Sequence, residues 1–205
     1  MNPGLRTSAS GMKAQQLMVD TIANNLANVN TTGFKRSRAS FEDVLYETLQ
    51  GPRTVGSQDS QTVAPIQIGK GVRLAAVLRL HSQGAPEQTG RPLDIAIEGD
   101  GFFQVEKPDV TIAYTRDGSF TISDTGAMVT KGGYRVLPAV QFPQDATDSS
   151  ISPGGIVSVT AGATGKPVEL GRIELARFVN PSGLMSQGEN LYTETSASGE
   201  PLTGF

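Results

Sequence analysis

Asp117-Gly118-Ser119-Phe120-Thr121-Ile122-Ser123-Asp124-Thr125-Gly126-Ala127-Met128-Val129-Thr130-Lys131-Gly132-Gly133 is the stretch that decides the fold class of this chain. Two short runs, Phe120 to Ile122 and Met128 to Thr130, lie between three turn signals, Asp117-Gly118, Asp124-Thr125-Gly126 and Gly132-Gly133. Glycine reaches positive φ without steric cost and aspartate bends its own backbone, so this spacing predicts antiparallel strands joined by tight turns. Working outward, strands are expected over Val72 to Leu80, Asp94 to Ile97, Phe102 to Val105, Val157 to Val159, Ile173 to Phe178 and Leu191 to Thr193, with a further break at Ser152-Pro153-Gly154-Gly155. Residues 71–205 therefore read as an antiparallel β domain. The 24 glycines and 12 prolines agree, because turns between short strands consume residues that helices reject.

The other end of the chain has a different period. Proline is missing from Leu5 to Val29, and Leu5, Met12, Val19 and Leu26 are each seven apart. Ile22 and Val29 fill a second heptad position, while Ser8 and Gln15 weaken the early part of the seam. Asn2 can cap the helix, Pro3 suits its first position and Gly33 offers a stop. Residues 1–35 are thus expected to form a terminal helical segment. A lone helix of about 25 residues is marginal in water, so its apolar face needs either the protein's own core or another helix. Burying six such side chains would contribute on the order of 1.5–3 kcal/mol each, enough to offset weak helix formers at Asn24, Asn25, Asn28 and Asn30.

Between the two, residues 36–70 lose any period. The patch Phe41, Val44, Leu45, Tyr46 and Leu49 gives way to Gly51-Pro52 and then to the polar run Gly56, Ser57, Gln58, Asp59, Ser60, Gln61 and Thr62. Such a length without periodicity inside a compact domain reads as a linker or, as we favour, an extended, irregular arm that folds on neighbouring molecules. The overall expectation is a mainly β protein with an N-terminal α-helix, an extended arm and an antiparallel β domain.

No motif points to catalysis. His81 is the single histidine and lies in a polar run, where a solvated side chain is expected rather than a metal ligand or triad member. Gly162-Ala163-Thr164-Gly165-Lys166 is too short for a phosphate loop and is followed by Pro167 where Ser or Thr should bind magnesium. Asp94, Glu98 and Asp100 could be imagined as paired acids of a glycosidase, but they flank a Gly-Asp-Gly turn and read as solvated. Asp117 and Asp124 lack the alternating oxygen ligands of a calcium loop. Catalytic, cofactor-binding and metal-binding residues are all expected to be none. A net charge of −3 gives no basic footprint for nucleic acid or anionic lipid, and the absence of cysteine excludes disulfides. Neither end carries a long apolar run, so neither a cleaved leader nor a membrane-spanning helix is expected.

Ala23-Asn24-Asn25-Leu26-Ala27-Asn28-Val29-Asn30-Thr31-Thr32-Gly33-Phe34-Lys35 closely resembles the N-terminal signature of the flagellar rod and hook axial proteins, and Ser10-Gly11-Met12-Lys13-Ala14-Gln15-Gln16 before it also fits. The resemblance continues through Gly99-Asp100-Gly101-Phe102-Phe103, Tyr114 to Phe120 and Gly126 to Thr130, so it runs nearly end to end. Ile68-Gly69-Lys70-Gly71-Val72, Leu80 to Gly84 and Gly188-Glu189-Asn190-Leu191-Tyr192 look most like the distal rod branch, with proximal rod and hook subunits as its rivals.

The resemblance implies a structural subunit that leaves the cell through the flagellar export apparatus without a cleaved signal. It implies self-association into a hollow helical tube spanning the periplasm, with neighbouring rod, hook and ring proteins as partners. Signature residues Asn24, Asn25, Asn28, Gly33 and Phe34 belong to this expectation. It also implies a second, C-terminal helix; the sequence stops at Gly204-Phe205, so a truncated or partial chain is expected, with an N-terminal helix that is exposed, mobile or borrowing another chain's face. Two readings from other classes compete: a secreted carbohydrate-binding or adhesive β domain, and a hydrolase using Asp94 or Asp100. Four tyrosines and no tryptophan disfavour the first.

Overall fold

The computed structural model describes residues 3–51, 53–55, 61–161 and 167–204. It is mainly β with an N-terminal helix, α1 (Pro3–Ala27). Close contacts divide the chain into two units, one comprising residues 1–29 and 36–80, the other residues 30–35 and 81–205.

In the first unit, six strands pair as nested antiparallel partners. β1 (Ser37–Asp43) pairs with β6 (Val72–Arg79), β2 (Tyr46–Gln50) with β5 (Ile66–Gly69), and β3 (Arg53–Val55) with β4 (Gln61–Val63). The region expected to be irregular therefore has regular partners. Its Val, Ile, Thr and Tyr residues suit strands, but the partners lie far apart in sequence, as in Ser37↔Arg79, and no local period announces them. Residues 72–79, expected in the β domain, pair with this ribbon instead. Of the polar run, Gln61 and Thr62 lie on β4, while Gly56, Ser57, Gln58, Asp59 and Ser60 fall outside the described residues.

Helix α1 rests on β1 and β6 through its small and polar side. Thr7, Ser10, Gly11, Ala14, Leu17, Thr21, Asn25 and Asn28, at spacings of three and four, are its less exposed positions. Ser10 accepts a hydrogen bond from Val72 N at 3.3 Å through its hydroxyl oxygen. Gly71, at φ +113°, has no room for a Cβ, which would strike the Ser10 hydroxyl. Asn25 holds the other end: its amide donates to Ser37 O and accepts from Ser37 N, both at 2.8 Å, as a strand partner would.

In the second unit, β7 (Phe102–Glu106) is central. It pairs with β8 (Ile112–Thr115) on one side and, on the other, with β11 (Arg135–Leu137) and β15 (Leu175–Arg177). β9 (Phe120–Ile122) and β10 (Met128–Thr130) extend the sheet beyond β11, β17 (Leu191–Thr193) and β16 (Met185–Gly188) extend it beyond β8, and β18 (Leu202–Thr203) joins β15. β12 (Ala146–Ile151), β13 (Ile156–Ala161) and β14 (Pro167–Arg172) form a separate three-stranded sheet.

Period-2 alternation gives β7 two buried faces. Phe103 and Val105 join Phe120, Met128, Val136, Val157 and Val159 in one core, while Phe102 turns to Tyr114, Phe178, Leu184 and Tyr192 in a second. Asp94 to Ile97, expected as a strand, makes only an isolated bridge from Asp94 to Ser119. Ile95 N bonds Gly118 O at 2.9 Å, and Gly118 has no space for a Cβ because the Ile95 carbonyl occupies it. That close approach, rather than a ladder, is what the Asp-Gly turn provides here. Residues 162–166, weighed above as a phosphate loop, lie outside the described residues.

Candidate assembly surfaces

The large apolar side chains of α1 point away from its own ribbon. Leu5, Met12, Val19 and Leu26 are between 62% and 70% exposed, and Ile22 and Val29 are exposed beside them. A helix that buried these side chains in its own core would show the reverse. Ser10, Ala14 and Thr21 occupy the inward face with the half-buried Leu17, and the Ser10 hydroxyl there meets Val72 N of the ribbon. Among the described residues α1 is the only α-helix, and no helix is long and apolar enough to cross a membrane.

The paired strands beyond β1 and β6 are also apolar and open. Leu45, Tyr46, Leu49, Ile66 and Ile68 are all more than half exposed. Cross-strand ion pairs, Arg73–Glu42 at 2.8 Å and Lys70–Glu47 at 3.2 Å, help set the register but are solvated and worth little in stability. Two-stranded ribbons are marginal alone in water.

The signature residues do separate jobs. Asn25 fastens helix to strand, as described, and Asn28 donates to Asn24 O at 3.0 Å, closing the last helical turn. Asn24 is exposed and Phe34 half-buried. Gly33, at φ +73°, lies so close to Arg116 and Asp117 that a Cβ would come within 2.8 Å of the Asp117 nitrogen. Sequence reasoning missed the roles of Asn25 and Lys35. Lys35 is buried and donates to Ser82 O at 2.8 Å. Burial, then the nearby charge of Arg116, pushes its ammonium below the ordinary lysine range.

The residues weighed for chemistry are differently placed. His81 is not a solvated side chain: its ring meets the edges of Phe102 at 5.7 Å and Tyr192 at 5.9 Å, half-buried among aromatics that arrive from distant strands. Arg116 lies over Phe102 at 5.4 Å and donates to Gly101 O and Gly99 O, bracing the Gly-Asp-Gly turn. Asp94 lies 3.8 Å from Arg91, and Asp100 lies 3.6 Å from Arg177. Asp94 and Glu98 line a groove of about 610 Å³ whose single aromatic residue is Phe103, too little for stacking a sugar ring. Among the described residues there is no group of three His, Cys, Asp or Glu side chains able to hold a metal ion.

Comparison with known proteins bears on these surfaces. Residues 5–35 match the family described as flagella basal body rod protein, and residues 96–159 match the flagellar hook protein FlgE/F/G D1 domain. Flagellar basal-body rod protein FlgG of Borreliella burgdorferi is 48% identical over an alignment covering 100% of this chain and 78% of that protein. FlgG of Caulobacter vibrioides is 47% identical over 95% of this chain and 75% of its own length. Flagellar hook protein FlgE of Helicobacter mustelae is 43% identical, but over only 64% of this chain and 29% of its own. Similarity this high across helix, ribbon and β domain together leaves one conclusion: the chain belongs to the FlgG family of flagellar basal-body rod proteins.

Proposed function

We propose that this chain is a non-catalytic structural subunit of the flagellar distal rod, polymerising helically with its own copies into a hollow shaft that transmits torque to the hook. The observation that carries this reading is the outward apolar face of α1. Leu5, Met12, Val19, Ile22, Leu26 and Val29 form a seam that the chain leaves open, and a neighbouring helix would cover it. Full burial contributes on the order of 1.5–3 kcal/mol per side chain, which is ample for subunit association. The ribbon of residues 36–80, with the segment Gly56 to Thr62 in its middle, bridges subunits and stiffens the tube, since bending must then disturb many packed contacts at once. Because the contact is heterologous and does not close on itself, it yields a filament and not a ring.

Neighbouring rod and hook proteins, the surrounding rings and the flagellar export apparatus are the partners, and the rod crossing the periplasm is the site of action. The match to FlgG relatives over the full chain, against 64% for the hook relative, favours rod over hook. Electron microscopy of basal bodies from cells lacking the gene, and from cells with it restored at full length, tests the assignment. A rod that stops short of the outer rings and regrows on complementation is the expected result. A complete rod without a hook would move the protein to the hook, and intact flagella would overturn the reading.

A further inference from the structure

The chain enters the β domain through residues 30–35, departs at Arg36 into the ribbon, and returns at His81. Residues 36–80 are therefore an excursion whose two ends must be held, because closing a loop of this length costs conformational entropy. The ends are paired at their base, where Leu80 N bonds Arg36 O at 3.0 Å.

Each side of the crossing is fastened separately. On the outgoing side, Gly33 lies flat on the Arg116–Asp117 backbone, and the Asn190 amide donates to Thr32 O at 2.8 Å. On the returning side, the Gln83 amide donates to Ile97 O at 3.0 Å and accepts from Gly99 N at 2.9 Å. Lys35 joins the two sides. Its ammonium crosses from the outgoing segment to Ser82 O on the returning one, at 2.8 Å, with the side chain buried. An ammonium in such a place, beside Arg116, is disfavoured by burial and like charge. A neutral side chain would avoid that cost, but of the apolar residues none could donate to the carbonyl.

We propose that Lys35 is a positioning residue, a clasp inside the β domain that ties segment 30–35 to segment 81–84 through the Ser82 carbonyl, where the 36–80 excursion leaves and returns. The two segments are then held side by side, so a pull that separates them must first break the Lys35–Ser82 bond. The use of that bond in torque transmission rests on the rod reading; the clasp itself does not, and is tested on the isolated chain.

Amide hydrogen exchange on the 205-residue chain is the measurement. Lys35→Met keeps an unbranched apolar side chain and removes the ammonium; it is expected to raise exchange at least tenfold in residues 30–36 and 80–84, with β7 unchanged. Lys35→Arg, which restores a donor, is expected to recover most of the protection. Gln83→Ala, releasing the returning side alone, should loosen 80–84 more than 30–36. Unchanged exchange at both flanks in Lys35→Met would overturn the clasp, as would a uniform rise that includes β7. A normal rod in cells lacking the gene would remove the torque role and leave the exchange result standing.

Discussion

The two units of this molecule put their large apolar side chains on opposite sides of the same rule. In the β domain Phe103, Phe120, Met128, Val136 and Val157 are almost wholly buried, while single apolar residues such as Val110 and Val179 lie exposed at its surface. In the helix and ribbon, the less exposed side includes Ser10, Ala14, Leu17 and Asn25, and most of the large apolar residues stand in solvent. The β domain has its own core, in two clusters of buried side chains. The helix and ribbon are held in place mainly by hydrogen bonds and close backbone approach, which set geometry but supply little free energy. The β domain hides most of its large apolar residues, and the helix and ribbon leave most of theirs open.

The sharpest way to break this contrast is to exchange the damage. Phe120→Ala should cost the β domain about 3–5 kcal/mol, read as a lower midpoint in urea unfolding, because it opens a cavity in a packed core. Leu26→Asp or Val19→Asp should change the isolated chain by less than about 0.5 kcal/mol, since both positions are exposed. In cells the same changes should abolish rods, because a charge cannot be buried in an apolar seam. Motile cells carrying Leu26→Asp would show that the outward face of α1 is not an interface. Deletion of Gly56 to Thr62 is a milder test: export is expected to continue while the rod bends more easily under load, and unaltered stiffness and motility would remove the ribbon from the mechanism.

A smaller effect probes how the helix is held. Asn25→Ala removes two hydrogen bonds to Ser37, at a cost of about 1–2 kcal/mol confined to the helix end. Amides of the last two turns of α1 should exchange faster, with β7 unaffected. Equal protection in wild type and variant would mean that the helix is held by something other than this pair.

Legibility followed the same division. The β-domain hairpins were readable because Asp117-Gly118 and Asp124-Thr125-Gly126 are local turn signals, and Phe120 to Ile122 and Met128 to Thr130 form strands at the expected bounds. Helix α1 was readable from its period, and Leu5, Met12, Val19 and Leu26, seven apart in sequence, share its exposed side. The ribbon was not, because its ladders join residues as distant as Ser37 and Arg79 and no local period announces them. His81 misled for a related reason: its sequence neighbours are polar, but its spatial neighbours are Phe102 and Tyr192. Lys35 and Asn25 carried a usable signal only as part of the signature, since a single lysine or asparagine at a helix end is ordinarily a solvated residue.

An effect seen only at alkaline pH separates the units by titration. Burial, assisted by the negative charge of Glu194, pushes the Tyr114 phenol up to about 12, against 10 for a free tyrosine. The folded β domain thus favours the neutral phenol, and this contribution is fully present below pH 10 and lost as pH rises from 10 toward 12. Over that window a single such group lowers stability by up to about 1.4 kcal/mol per pH unit. Tyr114→Phe should flatten the alkaline fall in the β-domain unfolding midpoint by that amount, and taking the difference between variant and parent cancels lysines that titrate in the same range. Contacts of the helix with its ribbon, which do not involve Tyr114, should show the same alkaline response in both proteins. If the two β domains lose stability in parallel above pH 10, the phenol is not held neutral by the second core, and that core is wetter than the packing of Phe102, Phe178 and Tyr192 around it implies.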